Sequence, residues 1–311
     1  MDYDAFNGDA DGICALLQLR IHDPRPDALL VTGPKRDIEL LGRIRAQPGD
    51  RVTALDISLA RNRDHALRLL EEGASIFYAD HHDPGERIEH PRLEQHIVTR
   101  GEMCTSAIVD GHLGGAHREW AAVGAFGDNM HGMGERLTEQ DPDRLRELGT
   151  LINYNAYGES LSDLHYHPDA LYLLLAPFDT PQAFLAADTD VLPTLREGFE
   201  SDRRVAESGT VLLDTRSAYA VTLPDGPASR RYSGIHGNAL ASRHPDRAHA
   251  VLTEREGGTY QISLRAPLET RRGAVGLAKR FGGGGREAAA GIDALPASDL
   301  PRFLDSLRSA F

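Results

Sequence analysis

Short apolar runs alternate with longer amphipathic stretches over about the first 110 residues of the chain. The short runs are DYDAF, DALLVTG, RVTALDIS and ASIFYADHH, and the longer stretches are GICALLQLRI, IELLGRIRA and RDHALRLLEEG. This alternation is typical of repeated strand and helix units. It predicts an α/β fold class in which a parallel sheet is covered by helices on both faces.

The pattern changes twice after this region. From about residue 104 to 205 it is mainly helical, with stretches such as EWAAVGAFGDN and DRLRELGTLINYNAYG. Strand patterns then return as TVLLDT, AYAVTLP, RAHAVLTERE and TYQISLRA, followed by a helical GAVGLAKRF. Because 311 residues are more than one domain usually needs, we expect an N-terminal domain over 1–205 and a smaller mixed α/β domain over 206–311.

Composition narrows the classes of partner. The formal net charge is −13, which disfavours the sequence-independent binding of long nucleic acids and fits short phosphorylated substrates better. The longest apolar stretch, ALYLLLAPF, is too short to span a bilayer, and the first residues do not resemble a secretory signal. We therefore expect a cytoplasmic protein without a membrane partner. Two cysteines make no disulfide framework.

Acidic residues follow three of the predicted strands. They are Asp9 and Asp11 in GDADG, Asp56 in LDIS, and Asp80 in ADHH, where His81 and His82 come next. The carboxyl ends of parallel strands meet at one edge of a sheet, which is where such folds bind ligands. The sequence therefore predicts that these side chains converge, although DxDG alone is equally typical of a turn or helix N-cap.

The donor set of this cluster points to a metal. Carboxylates with one or two imidazoles suit Mn²⁺ or Mg²⁺, whereas a structural zinc site would usually recruit cysteine. A fourth carboxylate, Asp128, ends the apolar segment GAFGDN. By itself Asp128 fits a turn or a helix terminus just as well.

These four ordered motifs resemble those of the DHH phosphoesterase superfamily, which includes RecJ-type exonucleases, nanoRNases and cyclic dinucleotide phosphodiesterases. The resemblance covers nearly the whole chain. It implies that Asp56 bridges two Mn²⁺ ions roughly 3.5–4 Å apart, that His82 acts with Asp56 in catalysis, and that Asp80 orients a histidine from behind the metal ligands. The implied metal ligands are Asp9, Asp11, Asp56, His81 and Asp128.

The first motif departs from the family pattern. A histidine normally stands shortly before the aspartate pair, and here those positions are Ala5, Phe6 and Asn7. One of the two ions has thus lost an expected ligand. Asn7 or water would fill the place, and we expect that ion to bind weakly or only together with substrate.

A glycine run near the C-terminus predicts a second functional element. Residues 281–291 read FGGGGREAAAG, and glycines ahead of a helix let backbone N–H groups approach a phosphate; the alternative is a flexible loop. With Arg265 in the preceding SLR, the run resembles the DHH-associated domain, in which a histidine usually takes the place of Arg286. Arginine keeps the positive charge but not the titration near neutral pH. The predicted substrate contacts are Arg265, Gly283, Gly284, Gly285 and Arg286.

The resemblance implies a manganese-dependent hydrolase, with Mg²⁺ as the alternative ion, that cleaves short oligonucleotides or small nucleotide phosphoesters by a two-metal mechanism. Two alternatives stay open. One is a non-catalytic nucleotide-binding protein of the same fold, motivated by the missing histidine and by Arg286, and the other is a nucleotide bisphosphate phosphatase. The sequence also leaves open the cleavage polarity and whether the chain forms a homodimer.

Overall fold

The computed structural model describes residues 1–99 and 103–311. These residues form two compact units, Met1–Arg196 and Glu197–Phe311. In the described part of the chain, no helix combines the length and the apolar character needed to cross a membrane.

The first unit is built on a five-stranded sheet in which every neighbouring pair is parallel. Its strand order is β2-β1-β3-β4-β5. The chain therefore places β2 on one side of β1 and the following strands on the other. The carboxyl ends of β1 and β3 therefore flank the point where such folds open a crevice. The strands are β1 (Asp2–Phe6), β2 (Leu29–Val31), β3 (Arg51–Leu55), β4 (Ser75–Asp80) and β5 (Leu93–Ile97).

Helices cover both faces of this sheet, as predicted. Ile76 and Tyr78 of β4 belong to a buried core with Leu69 on one face, while the Phe77 ring between them contacts His112 on the other. The helices of this region are α1 (Ala10–His22), α2 (Leu59–Glu71), α3 (Thr105–His112), α4 (Arg118–Gly127), α5 (His131–Leu137), α6 (Pro142–Asn155), α7 (Pro168–Leu175), α8 (Pro181–Ala186) and α9 (Val191–Glu207), the last of which crosses into the second unit.

One amphipathic stretch does not form the predicted helix. IELLGRIRA contains only a short 3₁₀ helix, Leu40–Arg43. Its backbone bonds to side chains of α2 instead, since Arg68 donates to the carbonyl oxygens of Leu41 and Ile44, and Asn62 accepts from the Leu41 amide at 3.2 Å. Tertiary hydrogen bonds have replaced the helical ones.

Two glycines allow α4 to pack closely on its neighbours. A Cβ on Gly124 would lie 2.2 Å from Ser106 Oγ, and a Cβ on Gly127 would lie 2.4 Å from the Cβ of Ala10. Such contacts are shorter than van der Waals packing permits. The absence of side chains at these positions therefore brings the C-terminus of α4, and Asp128 with it, against the N-termini of α1 and α3.

The second unit contains a mixed six-stranded sheet, which confirms the predicted fold class. Its order is β10-β11-β9-β8-β7-β6, with β7 and β8 parallel and the other pairs antiparallel. The strands are β6 (Thr210–Asp214), β7 (Ala218–Leu223), β8 (Ala248–Arg255), β9 (Thr259–Arg265), β10 (Gly284–Gly285) and β11 (Ala289–Pro296), and the helices are α10 (Pro227–Arg243), α11 (Ala274–Lys279) and α12 (Leu300–Ala310).

The element after the glycine run is a strand, not the expected helix. Ala289 and Ala290 begin β11 and pair with Arg265 and Leu264 of β9. Alanine is intrinsically a helix former, but the small residues of this stretch lie between two strands and its apolar positions complete a core with Ile292. The sheet therefore overrides the local preference.

Candidate metal centre

Asp9 lies just after β1 and caps the N-terminus of α1. Its Oδ1 accepts hydrogen bonds from the amides of Asp11 and Gly12 at 3.0 and 3.1 Å, which satisfies N–H groups that a helix start leaves open. Asn7 supports this turn by accepting from the Asp9 amide at 3.3 Å and donating to the Lys35 carbonyl at 3.3 Å. The N-cap alternative for GDADG is thus realised by one oxygen of Asp9, and the other oxygen is left for the cluster.

Asp11 joins α1 to the start of α3. Its two carboxylate oxygens accept from the backbone amides of Ser106 and Thr105, each at 2.7 Å. The side chain is fully buried. Asp11 therefore stabilises the N-terminus of α3 with its negative charge while lying at the edge of the cluster.

Asp56 follows β3, and its buried carboxylate has several other carboxylates near it. Its φ is 57°, a left-handed conformation that non-glycine residues adopt rarely and that is often found at functional sites. The side chain is buried and accepts from Thr105 Oγ1 at 2.9 Å. Burial, together with the neighbouring carboxylates of Asp9, Asp11 and others, raises the pKa of Asp56 well above its usual value. An ionised Asp56 therefore needs a cation nearby.

The two histidines after β4 have different partners. His81 Nε2 lies 3.5 Å from Asp56 Oδ1 and 3.5 Å from Asp128 Oδ2. His82 Nδ1 lies 2.7 Å from Asp80 Oδ1, and this hydrogen bond raises the pKa of His82. The carboxylate of Asp80 is buried behind the ring, so it fixes the orientation of His82 and leaves Nε2 for other contacts.

Lys35 enters the cluster from the loop after β2. Its Nζ lies 2.5 Å from Asp9 Oδ2 and 2.9 Å from Asp128 Oδ1. Burial opposes the charge, but Asp9 and Asp128 outweigh it and raise the pKa of Lys35 well above its usual value. In turn, burial acts to raise the pKa of Asp9, and the Lys35 charge and hydrogen bonds outweigh it, so that the pKa is lowered. The sequence analysis missed Lys35, although its place just beyond a strand end, at the edge where the aspartates lie, was a usable signal.

Two overlapping sets of side chains in the first unit could hold a metal ion. The potential ligand atoms of Asp56, His81 and His82 lie within 4.8 Å of one another, and so do those of Asp11, His81 and Asp128. Carboxylates mixed with imidazoles suit divalent ions such as Mn²⁺, and burial together with the neighbouring carboxylates raises the pKa of Asp56, so that a nearby cation would stabilise its ionised form. The residues present therefore fit a divalent ion beside Asp56 and His81.

The remaining predicted site residues lie in the second unit. Arg265 ends β9 and donates to Asn238 Oδ1 at 2.6 Å and to Ser263 Oγ at 3.0 Å. Gly283 passes close to β11, because a Cβ there would lie 2.2 Å from the Gly291 carbonyl oxygen. Gly284 and Gly285 form β10, and the exposed Arg286 lies in the turn that joins β10 to β11.

Comparisons with known proteins identify the fold. A scan against protein-family models finds no match, and neither does a search of curated proteins. Solved structures do match. A DHH-domain member of the s1p family of ribosomal proteins is 14% identical with a TM-score of 0.65, covering 99% of this chain and 85% of that chain. Exonuclease RecJ bound to manganese is 16% identical with a TM-score of 0.64, covering 99% and 89%.

A third match covers both chains almost completely. The pGpG-specific phosphodiesterase PggH from Vibrio cholerae is 15% identical with a TM-score of 0.56, covering 100% of this chain and 99% of that chain. All three matches extend over nearly all of this chain. The chain therefore has the fold of DHH-domain proteins, and the resemblance noted from the four motifs is confirmed at the level of the fold.

Proposed function

We propose that the protein is a metal-dependent phosphoesterase that hydrolyses short oligonucleotides, with dinucleotides as the preferred class. The observation that carries the proposal is the position of His81, whose Nε2 lies 3.5 Å from carboxylate oxygens of both Asp56 and Asp128. Mixed imidazole and carboxylate donors of this kind suit a catalytic divalent ion. The likeness in fold to an exonuclease and a phosphodiesterase supports the same reaction class.

Asp56, His81 and Asp128 would hold the ion, with Mn²⁺ as the first candidate and Mg²⁺ as the second. A bound ion of this type supplies positive charge to a phosphoryl oxygen and lowers the pKa of water. Thr105, at the start of α3, donates its amide to Asp11 and its hydroxyl to Asp56, and so holds the two carboxylates in position.

His82 would contact the substrate phosphate. Its Nδ1 is held by Asp80, and that hydrogen bond raises its pKa; in the charged form both ring nitrogens are donors. A charged donor strengthens its hydrogen bond to a phosphate oxygen and can give a proton to the leaving oxygen. In the second unit, Arg265, Arg286 and the backbone of Gly283–Gly285 are proposed to bind substrate phosphates.

The test is an activity panel with purified protein and either Mn²⁺ or Mg²⁺. Dinucleotides should be cleaved, and a cyclic dinucleotide, a nucleotide bisphosphate and long single-stranded DNA should be cleaved more slowly. Asp56→Asn should abolish turnover, whereas Asp143→Asn, on an exposed side chain of α6, should not change it. Faster release of phosphate from the bisphosphate would favour a phosphatase, and tight nucleotide binding without any product would show a non-catalytic protein.

A further inference from the structure

We infer that the ammonium group of Lys35 occupies the place of one of the two cations expected from the sequence, so that the centre binds a single divalent ion beside Asp56 and His81. This inference rests on the proposed metal-dependent function. Its starting point is Asp128, whose two oxygens face different partners. Oδ1 lies 2.9 Å from Lys35 Nζ, and Oδ2 lies 3.5 Å from His81 Nε2. Asp128 thus links a lysine on one side to a metal-ligating set on the other.

The oxygen atoms on the Lys35 side that could coordinate a metal already have hydrogen-bond or ion-pair partners. Asp9 Oδ1 caps α1, and Asp9 Oδ2 lies 2.5 Å from Lys35 Nζ. Asn7 is one of the positions at which the family has its histidine, and its Oδ1 accepts from the Asp9 amide. Asn153 Oδ1 lies 3.4 Å from Lys35 Nζ. A divalent ion on this side would have to displace the ammonium from three oxygen atoms.

The position of Lys35 is fixed by its backbone. Its amide donates to the Ala156 carbonyl at 2.9 Å, and its carbonyl accepts from Asn7 Nδ2 at 3.3 Å. Asn153, the third oxygen partner of the ammonium, is itself held because its Nδ2 donates to Tyr157 Oη at 2.8 Å. The lysine therefore belongs to a built arrangement of hydrogen bonds at the end of α6.

The composition of the chain makes this lysine conspicuous. The sequence has 34 basic residues, and only two of them, Lys35 and Lys279, are lysines. An ammonium is a compact point charge with three donors, whereas a guanidinium is planar and needs a bidentate partner. Three oxygens from three different side chains around one nitrogen match the former geometry. A lysine in an arginine-rich chain is thus placed where a cation of small radius is needed.

The experiment counts bound Mn²⁺ by equilibrium dialysis and by the electron paramagnetic resonance signal of the bound ion. The full-length wild-type protein should bind one Mn²⁺ per chain with an uncoupled signal. Lys35→Met should bind two and show an exchange-coupled signal. Lys279→Met is the matched control and should bind one. Lys35→Gln provides a second uncharged variant if Lys35→Met does not fold, as judged by circular dichroism.

The outcomes separate this inference from the proposed function. Two coupled ions in the wild type, or a single ion in both uncharged variants, would refute the role of Lys35 and leave the phosphoesterase proposal standing. One ion without phosphodiester cleavage would refute the proposed function alone. A wild-type protein that binds no Mn²⁺ would refute both.

A separate cluster points to a second metal site, on the edge strand of the first sheet. Glu94 and His96 are two residues apart on β5 and therefore lie on the same face, and His112 ends α3. Their potential ligand atoms lie within 4.8 Å of one another. The rings of His96 and His112 are 4.5 Å apart, and both contact Phe77, with centroid distances of 5.1 and 5.2 Å.

We propose that Glu94, His96 and His112 bind Zn²⁺ and so connect the edge strand to α3. Two imidazoles and one carboxylate are a common zinc ligand set that keeps a further position for water. Without the ion, His96 Nε2 lies 2.7 Å from Glu94 Oε1, a contact that the metal would replace.

This site is tested in the Asp56→Asn/His81→Gln background, which removes Asp56 and the histidine that the two central ligand sets share. Calorimetric titration with Zn²⁺ should show one saturable site per chain, and Co²⁺ should give the absorption bands of a tetrahedral complex. Replacing His112 or His96 by glutamine should abolish both signals, whereas His90→Gln should preserve them. No saturable binding in the background variant, or unchanged binding after both histidine replacements, would rule the site out.

Discussion

Asp56→Asn should stabilise the metal-free protein while abolishing its activity. The replacement removes the negative charge and keeps nearly the same side-chain shape. Asparagine keeps an Oδ1 that can accept the 2.9 Å hydrogen bond from Thr105, and it tolerates the left-handed φ of 57° as well as aspartate does. What is lost is a buried negative charge whose pKa is raised by burial and by the surrounding carboxylates. Functional sites commonly lower stability in this way.

The expected gain is roughly 1–2 kcal/mol, the usual size of a single stabilising replacement. For a unit of about 200 residues, each kcal/mol corresponds to about 2–4 °C in melting temperature, so the metal-free variant should melt about 2–8 °C above the wild type. The assay is differential scanning calorimetry in EDTA at pH 7.5. The exposed Asp143→Asn should stay within about 0.5 kcal/mol of the wild type.

The pH dependence gives a second check. Because the pKa of Asp56 is raised above its usual value of 3.8, the folded protein binds this proton at pH values at which the unfolded chain has lost it. The penalty is therefore absent below pH 3.8 and fully present above the raised pKa. The advantage of Asp56→Asn should shrink as the pH is lowered. A variant that melts below the wild type in EDTA, or whose advantage grows on acidification, would refute the reasoning.

Three further changes probe other contacts. Asp80→Asn should lower activity about 10–100-fold and move the alkaline limb of the pH–rate profile to lower pH, since Asp80 raises the pKa of His82; an unmoved limb would exclude the His82 proton. Gly127→Ala should cost about 1–3 kcal/mol in urea unfolding, because its Cβ would meet Ala10 at 2.4 Å, whereas Gly132→Ala has room and should not destabilise. Asp202→Ala should cost about 3–5 kcal/mol, because it removes the carboxylate to which the buried guanidinium of Arg231 donates at 2.7 and 2.9 Å; a loss below 1 kcal/mol would contradict this.

The convergence of the aspartates was predictable because it depends on two local features. Asp9 and Asp56 each follow a short apolar run, and parallel strands bring such ends to one edge. The helix pattern that ends at Asp128 was also visible, and Gly124 and Gly127 within it let α4 approach α1 and α3. The strand ends and the glycine spacing therefore determine most of the centre.

The strand end before Lys35 indicates the edge of the sheet at which it lies, but its contacts could not be predicted, because they depend on how a loop without regular structure folds. Its Nζ meets Asp128, which is 93 residues further along the chain, and no spacing rule connects the two positions. The alanines after the glycine run were misjudged for a related reason. Their helix preference is local, while their pairing with β9 depends on a partner more than twenty residues away.

The distribution of hydrogen-bond donors indicates where an ion is most needed. Asp11 receives two backbone amides from the start of α3, and Asp9 receives two amides and the Lys35 ammonium. Each of these carboxylates is thus already engaged by N–H donors. Lys35 neutralises only one of the negative charges of the cluster.

Asp56 has a neutral hydroxyl as its donor, that of Thr105, and its pKa is raised well above the usual value. Thr105 is also the residue whose amide binds Asp11, so the same turn of α3 satisfies one carboxylate with a backbone dipole and leaves the other with a weak donor. Because His81 Nε2 lies 3.5 Å from Asp56, the carboxylate with the greatest need of a cation is next to an imidazole that can share in binding it. The carboxylate that most needs a cation thus lies beside a second metal ligand. Replacing Asp56 therefore removes both a destabilising buried charge and a metal ligand, so stability should rise while activity is lost.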